Sequence, residues 1–339
     1  MSLAPYNWLS VVLLATMGLF TACGEENPAP IKSEVMAKTD LEWKAMYLEE
    51  QKKRAMDGDT SAQYDLGSWY YYGDDILFAK DVEKAVSWWR MAAEGGNEEA
   101  MYRLGLCFFS GDGVTQDYSQ ALAWWRKAGE VDLSVDNKVV INPGHEKAQL
   151  KLGFCYFQGK GVAQDYAQAI DWFRKAAADD VLRPGSPEAK FFLGICYADG
   201  LGVTKDPAQA FSWYRKAADK GLDVAQNRLG LCYAAGKGVE KDEQQAVAWL
   251  RKAAEQGNSE AQLSLGTYYS EGRGVLKDSI EAYAYISLAG LTNESARKFL
   301  TNLEKDLSRN EIVAGQKRAK ELQKEIDAKI AAKKVEAER

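Results

Sequence analysis

One fourteen-residue pattern recurs along this 339-residue chain and sets limits on everything else it can fold into. LGLCFFSGDGVTQD (104–117) returns as LGFCYFQGKGVAQD (152–165), LGICYADGLGVTKD (193–206), LGLCYAAGKGVEKD (229–242) and LGTYYSEGRGVLKD (265–278). A looser copy, LGSWYYYGDDILFAKD (66–81), precedes them, two residues longer and without the second Gly. Gly194, Gly230 and Gly266 stand 36 residues apart, and extra residues enter mainly before the third and fourth copies. A fixed period of this length marks a stacked-repeat architecture, in which each unit buries its apolar face against the next. Six copies of one motif describe a building plan rather than a catalytic centre.

Each unit reads as two helices. In SEAQLSLGTYY (259–269), Ala261, Leu265, Gly266 and Tyr269 fall on one side at helical spacing. The Gly of the Leu-Gly pair removes a side chain where another helix comes close, and the following Gly-x-Gly ends the helix through the left-handed conformation. Asp117, Asp165, Asp206, Asp242 and Asp278 then start the second helix, each followed three residues later by Gln or Glu, the capping-box spacing. Pro207 stands at a first helical position, where its missing N–H costs nothing. The second helices carry a large aromatic stripe at Trp88, Trp124, Trp172, Trp213, Trp249 and Tyr285, and tend to close on Arg-Lys-Ala, which puts cations at the negative helix end. No stretch alternates with a strand period, so the expected fold class is all-α.

AQNRLGLCYAAGKGVEKDEQQAVAWLRKAAEQGN (225–258) resembles the Sel1-like repeat, a relative of the tetratricopeptide repeat. The resemblance covers about residues 55–290; copies two to five meet the pattern almost fully, whereas YAYISLAG replaces the Trp-x-Arg-Lys ending in copy six. It implies a right-handed α-solenoid of about six helix-turn-helix repeats that curves and binds other proteins through its surfaces rather than catalysing reactions. The expected organisation is a signal peptide over 1–22, a tether over 23–38, an N-terminal capping helix over 39–56, the repeats over 57–294 and C-terminal capping helices over 295–339. In the last of these, Ser308 and Glu311 form a capping box, and Ala319, Leu322, Ile326 and Ile330 make an apolar stripe that either covers the end of the array or dimerises.

The N-terminus carries its own signal. WLSVVLLATMGLF (8–20) is an uncharged run of 13 residues, shorter than the ~20 a spanning helix needs. Thr-Ala-Cys follows, then the polar, Pro-containing GEENPAPIKSE. The arrangement resembles a bacterial lipoprotein signal, with Phe20 in place of the usual Leu and no Lys or Arg ahead of the apolar run. The resemblance implies lipidation of Cys23 and a place in the cell envelope. Gly24, rather than Asp, after the cysteine implies the periplasmic face of the outer membrane. Simple secretion and an uncleaved anchor are the alternatives.

The chemical readings of the repeats are weak. Cys107, Cys155, Cys196 and Cys232 occupy one equivalent position, two residues after the repeat Gly. Packed helices lie about 8–10 Å apart, whereas a disulfide needs Cα atoms within about 7 Å, so these thiols are expected to be buried and unpaired. Cysteine-rich members of the family form disulfides through a second cysteine in each unit, which is missing here. The Gly-x-Gly turn is a poor phosphate cradle because an Asp carboxylate already occupies the helix N-terminus beside it. His145, the only histidine, stands just before a helix as a loop or cap residue. No metal site, cofactor or catalytic residue is expected, and 43 basic against 49 acidic residues leave no basic excess for nucleic acid.

What survives is a surface. By analogy with tetratricopeptide repeats, first helices line the concave side, through positions three before, one after and four after the repeat Gly. That selects Tyr64 and Tyr71; Tyr102, Leu106 and Phe109; Leu150, Phe154 and Phe157; and Phe191 and Ile195. A large apolar patch of this kind marks an interaction site for a helix or extended peptide, unless curvature or the 130–147 insertion covers it. The expected function is therefore a monomeric, lipid-anchored envelope scaffold for a protein or peptide partner. A cell-wall or β-lactam hydrolase and a structural, oligomerising envelope component are the alternatives.

Overall fold

A computed structural model of the chain describes residues 40–73, 79–130, 144–179 and 184–338. The expected signal peptide, the expected tether and Cys23 lie outside them, as does most of the 130–147 insertion. The described residues form fifteen helices and no strand. They fall into two compact units, Met1–Thr115 with Lys334–Arg339, and Gln116–Lys333.

The first unit contains α1 (Asp40–Met56), α2 (Thr60–Tyr72), α3 (Val82–Glu94) and α4 (Glu98–Ser110). Leu48 and Ala55 of α1 form a small core with Ala62 and Leu66 of α2, against which Trp69, Tyr70 and Trp88 pack. The second unit runs through α5 (Tyr118–Gly129), α6 (Glu146–Gln158), α7 (Tyr166–Ala177), α8 (Pro187–Asp199), α9 (Pro207–Asp219), α10 (Asp223–Ala235), α11 (Glu243–Ala254), α12 (Ser259–Glu271), α13 (Ser279–Ala289), α14 (Glu294–Asp306) and α15 (Arg309–Glu338).

Helix pairing turns on the repeat Gly. A Cβ at Gly194 of α8 would sit 2.5 Å from Tyr214 Cδ1 of α9, and one at Gly266 of α12 would sit 2.6 Å from Ile286 Cγ1 of α13. The missing side chain thus lets the second helix seat its large residue directly on the first. The seated residue (Phe173, Tyr214, Leu250 or Ile286) is the neighbour in sequence of the Trp stripe and is buried in every case. The stripe itself packs at the flank, with Lys175, Lys216 and Lys252 each about one turn on, their ammonium groups 4.1, 4.2 and 3.8 Å from the centroids of Trp172, Trp213 and Trp249.

The turn works through its two glycines. In copy four, Gly200 ends α8 in the left-handed region (φ 78°), with its N–H bonded to Cys196 O. Gly202 (φ 68°) lies against the start of α7, and a Cβ there would come within 2.7 Å of the Tyr166 carbonyl carbon. The expected capping box forms only in half at these turns. Asp165, Asp206, Asp242 and Asp278 accept from first-turn N–H groups. Their own N–H groups, however, donate to the carbonyls of Tyr156, Tyr197, Tyr233 and Tyr269 at 2.8–3.0 Å. The donor that a Gln or Glu would have satisfied is already paired by the preceding helix. At Ser308 the full box is present: Ser308 N donates to Glu311 Oε2 at 2.9 Å and Glu311 N to Ser308 Oγ at 3.3 Å.

Successive repeats are joined by two recurring bonds that the sequence pattern did not reveal. Four residues before the repeat Gly, a buried Gln donates to a carbonyl at the end of the preceding helix: Gln149 to Gly129 (3.0 Å), Gln226 to Ala218 (3.2 Å) and Gln262 to Ala254 (3.2 Å). These carbonyls have no partner within their own helix. Arg126, Arg174 and Arg251 meanwhile donate to the hydroxyls of Tyr156, Tyr197 and Tyr269 in the next repeat at 2.7, 3.1 and 2.8 Å. At the far end of this unit, Ala319, Leu322 and Ile326 of α15 enter the core formed by α11, α12 and α13. Ile330 stays 49% exposed.

Candidate interaction surface

In the first unit, Tyr64, Tyr71, Leu106 and Phe109 are half-buried, and Tyr102 is buried with 9% exposure. Tyr71 packs edge-on to Tyr72 and against Trp89, both at 5.1 Å between centroids, and its hydroxyl donates to Asp112 at 3.4 Å. Arg103 donates to Glu99 at 3.1 Å and to the Tyr72 hydroxyl at 3.1 Å. Burial, followed by the Asp112 charge, raises the Tyr71 pKa, so the phenol stays a neutral donor. Arg103 and Tyr72 were absent from the sequence selection because they fall one position outside the assumed face.

In the second unit, Leu150, Phe154 and Phe157 of α6 and Phe191 and Ile195 of α8 are all half-buried. Phe192, which the sequence selection omitted, joins most of them. Its ring lies 4.6 Å from Phe154, 5.6 Å from Phe157 and 5.6 Å from Phe191, all edge-to-face, and stacks on Phe173 at 5.4 Å. Phe191 continues the network to Tyr214 at 5.7 Å. Edge-to-face geometry is the favoured aromatic arrangement and fixes the rings relative to one another. The doubled Phe191-Phe192 was the available signal. Ile195 takes no part in the ring network.

The surface has few chemical groups of its own. His145 caps α6, its Nδ1 accepting from Ala148 N at 3.2 Å. The thiols of Cys107, Cys155 and Cys196 are free and buried, and burial pushes their pKa up to about 12, 11 and 11; Cys232 shifts the same way. A thiol held protonated is a poor nucleophile. Among the described residues no His, Cys, Asp and Glu side chains gather in a group able to hold a metal, and no helix is long and apolar enough to cross a membrane.

Paired helices, glycine turns and an aromatic face on the first helices define an α-helical repeat solenoid. The chain belongs to the Sel1 repeat family, whose profile matches residues 60–97, 98–132, 146–181, 187–222, 223–258 and 259–291. Sel1 repeat proteins generally mediate protein–protein interaction. Among solved structures, the chain is similar to a protective antigen of uropathogenic Escherichia coli that displays an SLR fold, with 33% identity and a TM-score of 0.69. That match covers 83% of this chain and 56% of the antigen, so the chain spans little more than half of the antigen's length. It is also similar to a Sel1 repeat protein from Oxalobacter formigenes, at 29% identity and a TM-score of 0.62, covering 74% of this chain and 97% of that one. No curated protein matches the chain.

Proposed function

We propose that this protein is a lipid-anchored scaffold of the bacterial cell envelope that binds a segment of a partner protein on the face of its first helices. The observation that carries the reading is the half-buried ring network of Phe154, Phe157, Phe191 and Phe192. Its rings pack against the core of these helices and still keep part of their apolar area at the surface. Rigid aromatic area of this kind is what binding hot spots are made of. The protein acts by binding, as a monomer and without a cofactor, rather than by catalysis. The anchor rests on Cys23 and the apolar run before it.

The test is a photo-crosslinking amino acid placed at Phe154 or Phe191 in the native host, with mass-spectrometric identification of what it captures. Capture of a discrete protein at these sites, but not at the exposed Lys324 of α15, is the expected result. Equal capture at all three sites, or full function retained with Asp at Tyr102, Phe154 and Phe191, removes the reading. For the anchor, Cys23→Ala should shift the protein from the membrane fraction to the soluble fraction, and unchanged fractionation excludes it.

A further inference from the structure

The ring network of the second unit is flanked by cations with no counter-charge of their own. Lys151 stands one turn before Phe154 on α6. Arg228 on α10 is exposed and stands two residues before its repeat Gly, the register that Lys151 holds on α6 and Phe192 on α8 between them. Neither Lys151 nor Arg228 makes an ion pair or side-chain hydrogen bond among the described residues. Arg174, by contrast, bonds Tyr197, and Arg215 bonds Asp219. Asp199 at the end of α8 opposes Arg228 in its effect on Tyr214 but forms no ion pair with it.

Resting on the binding role proposed above, we infer that the second unit takes an acidic, apolar peptide segment of its partner. Large apolar side chains of the segment lie on Phe154, Phe191 and Phe192, and Asp or Glu residues on either side pair with Lys151 and Arg228. A free cation beside an apolar surface costs little while hydrated. It gains most from a carboxylate delivered together with water-excluding apolar contacts, which lower the local dielectric. The two charges also set a direction of preference: a basic segment meets like charge at both edges.

A random dodecapeptide display library, panned on the immobilised whole chain, reads this preference directly. The expected outcome is enrichment of peptides that combine Phe, Leu or Trp with two or more Asp or Glu. Their affinity should fall about tenfold or more in the double variant Lys151→Glu/Arg228→Glu, tenfold being about 1.4 kcal/mol. It should be unchanged in Lys317→Glu/Lys324→Glu on α15. Should the double reversal unfold the protein, Lys151→Gln/Arg228→Gln carries the same comparison. Neutral or basic winners, no enrichment over bare support, or acidic-peptide affinity untouched by the double variants each overturn the inference. A partner captured at Phe154 that contacts it through a basic segment would leave the scaffold reading standing and remove only this one.

Discussion

The ammonium of Lys190 lies 2.7 Å from Asp179 Oδ1 and 2.9 Å from the Gly185 carbonyl, although its side chain is only 1% exposed. It stands where the other repeats of this unit carry Gln149, Gln226 and Gln262, each of which reaches back to a carbonyl at the preceding helix end. Here Lys spans to the Asp179 carboxylate as well as to a carbonyl of the connection ahead of α8. Lys190→Met should therefore lower stability by about 1–3 kcal/mol, the usual cost of stranding a buried polar partner. Lys190→Gln should cost less, because it restores the donor used elsewhere. Urea unfolding of the three proteins checks the order.

The same pair gives a pH signature. Its hydrogen bond to Lys190 is the largest influence on Asp179 and holds the carboxyl below its ordinary range. A depressed folded pKa means that the stabilisation is present above the unfolded pKa, near 4, and is lost as pH falls through the folded value. Melting temperatures of the native protein and of Asp179→Asn should differ at pH 7 and converge toward pH 3. A constant gap across that range would show that Asp179 acts through packing rather than charge.

The buried thiols predict the opposite slope. Burial raises the pKa of Cys107 to about 12 and those of Cys155 and Cys196 to about 11. For a group with a raised folded pKa, the stability contribution is present below the unfolded pKa of about 8.5 and fades as pH climbs toward the folded value. These three thiols should resist a thiol reagent at pH 8 in the native protein and react fully in denaturant. Fast native labelling of any of them would place that cysteine outside the core.

Much of this architecture was legible because repetition turns weak local signals into a strong one. The Leu-Gly, Gly-x-Gly and Asp positions recur with constant roles, and the close helix approach at Gly194 follows from the absent Cβ, although the residue seated there is Tyr214 rather than the striped Trp213. The same sequence did not show that Gln226 caps α9 or that Arg174 braces Tyr197, since polar residues on a helix read as solvent-facing until their neighbours are known. The selected surface was partly legible for a similar reason. Phe154 and Phe191 follow from helical spacing, but Phe192 lies one position off that line, and only the approach of α6 and α7 brings its ring to Phe154 and Phe173.

Gly194→Ala tests the close approach itself. The new methyl would meet Tyr214 Cδ1 and Cε1 at 2.5 Å, and the ring is too well buried to turn away freely. Helices α8 and α9 must then separate, at a cost of about 1–3 kcal/mol, typical of overpacking. Shortening the opposing side chain should relieve the clash, so Gly194→Ala/Tyr214→Ala should be less destabilised than the sum of its two single variants. A double-mutant cycle by urea unfolding measures that coupling. Additive losses would mean that Gly194 and Tyr214 do not set the spacing of the helix pair.

Removing α15 by ending the chain after residue 307 tests what closes the array. Ala319, Leu322 and Ile326 belong to the core that also holds Leu250, Leu265, Tyr285 and Leu288. Arg318 bonds Glu281 at 2.7 Å, and Lys329 bonds Glu255 at 2.7 Å. Losing the helix uncovers apolar area on α11, α12 and α13 together, and in a repeat array stability passes between neighbours. Amide exchange should therefore rise most in α12 and α13 and fade toward α6. If the truncated chain kept native protection in α13, the contacts of Leu322 and Ile326 would contribute little to the stability of the last repeats.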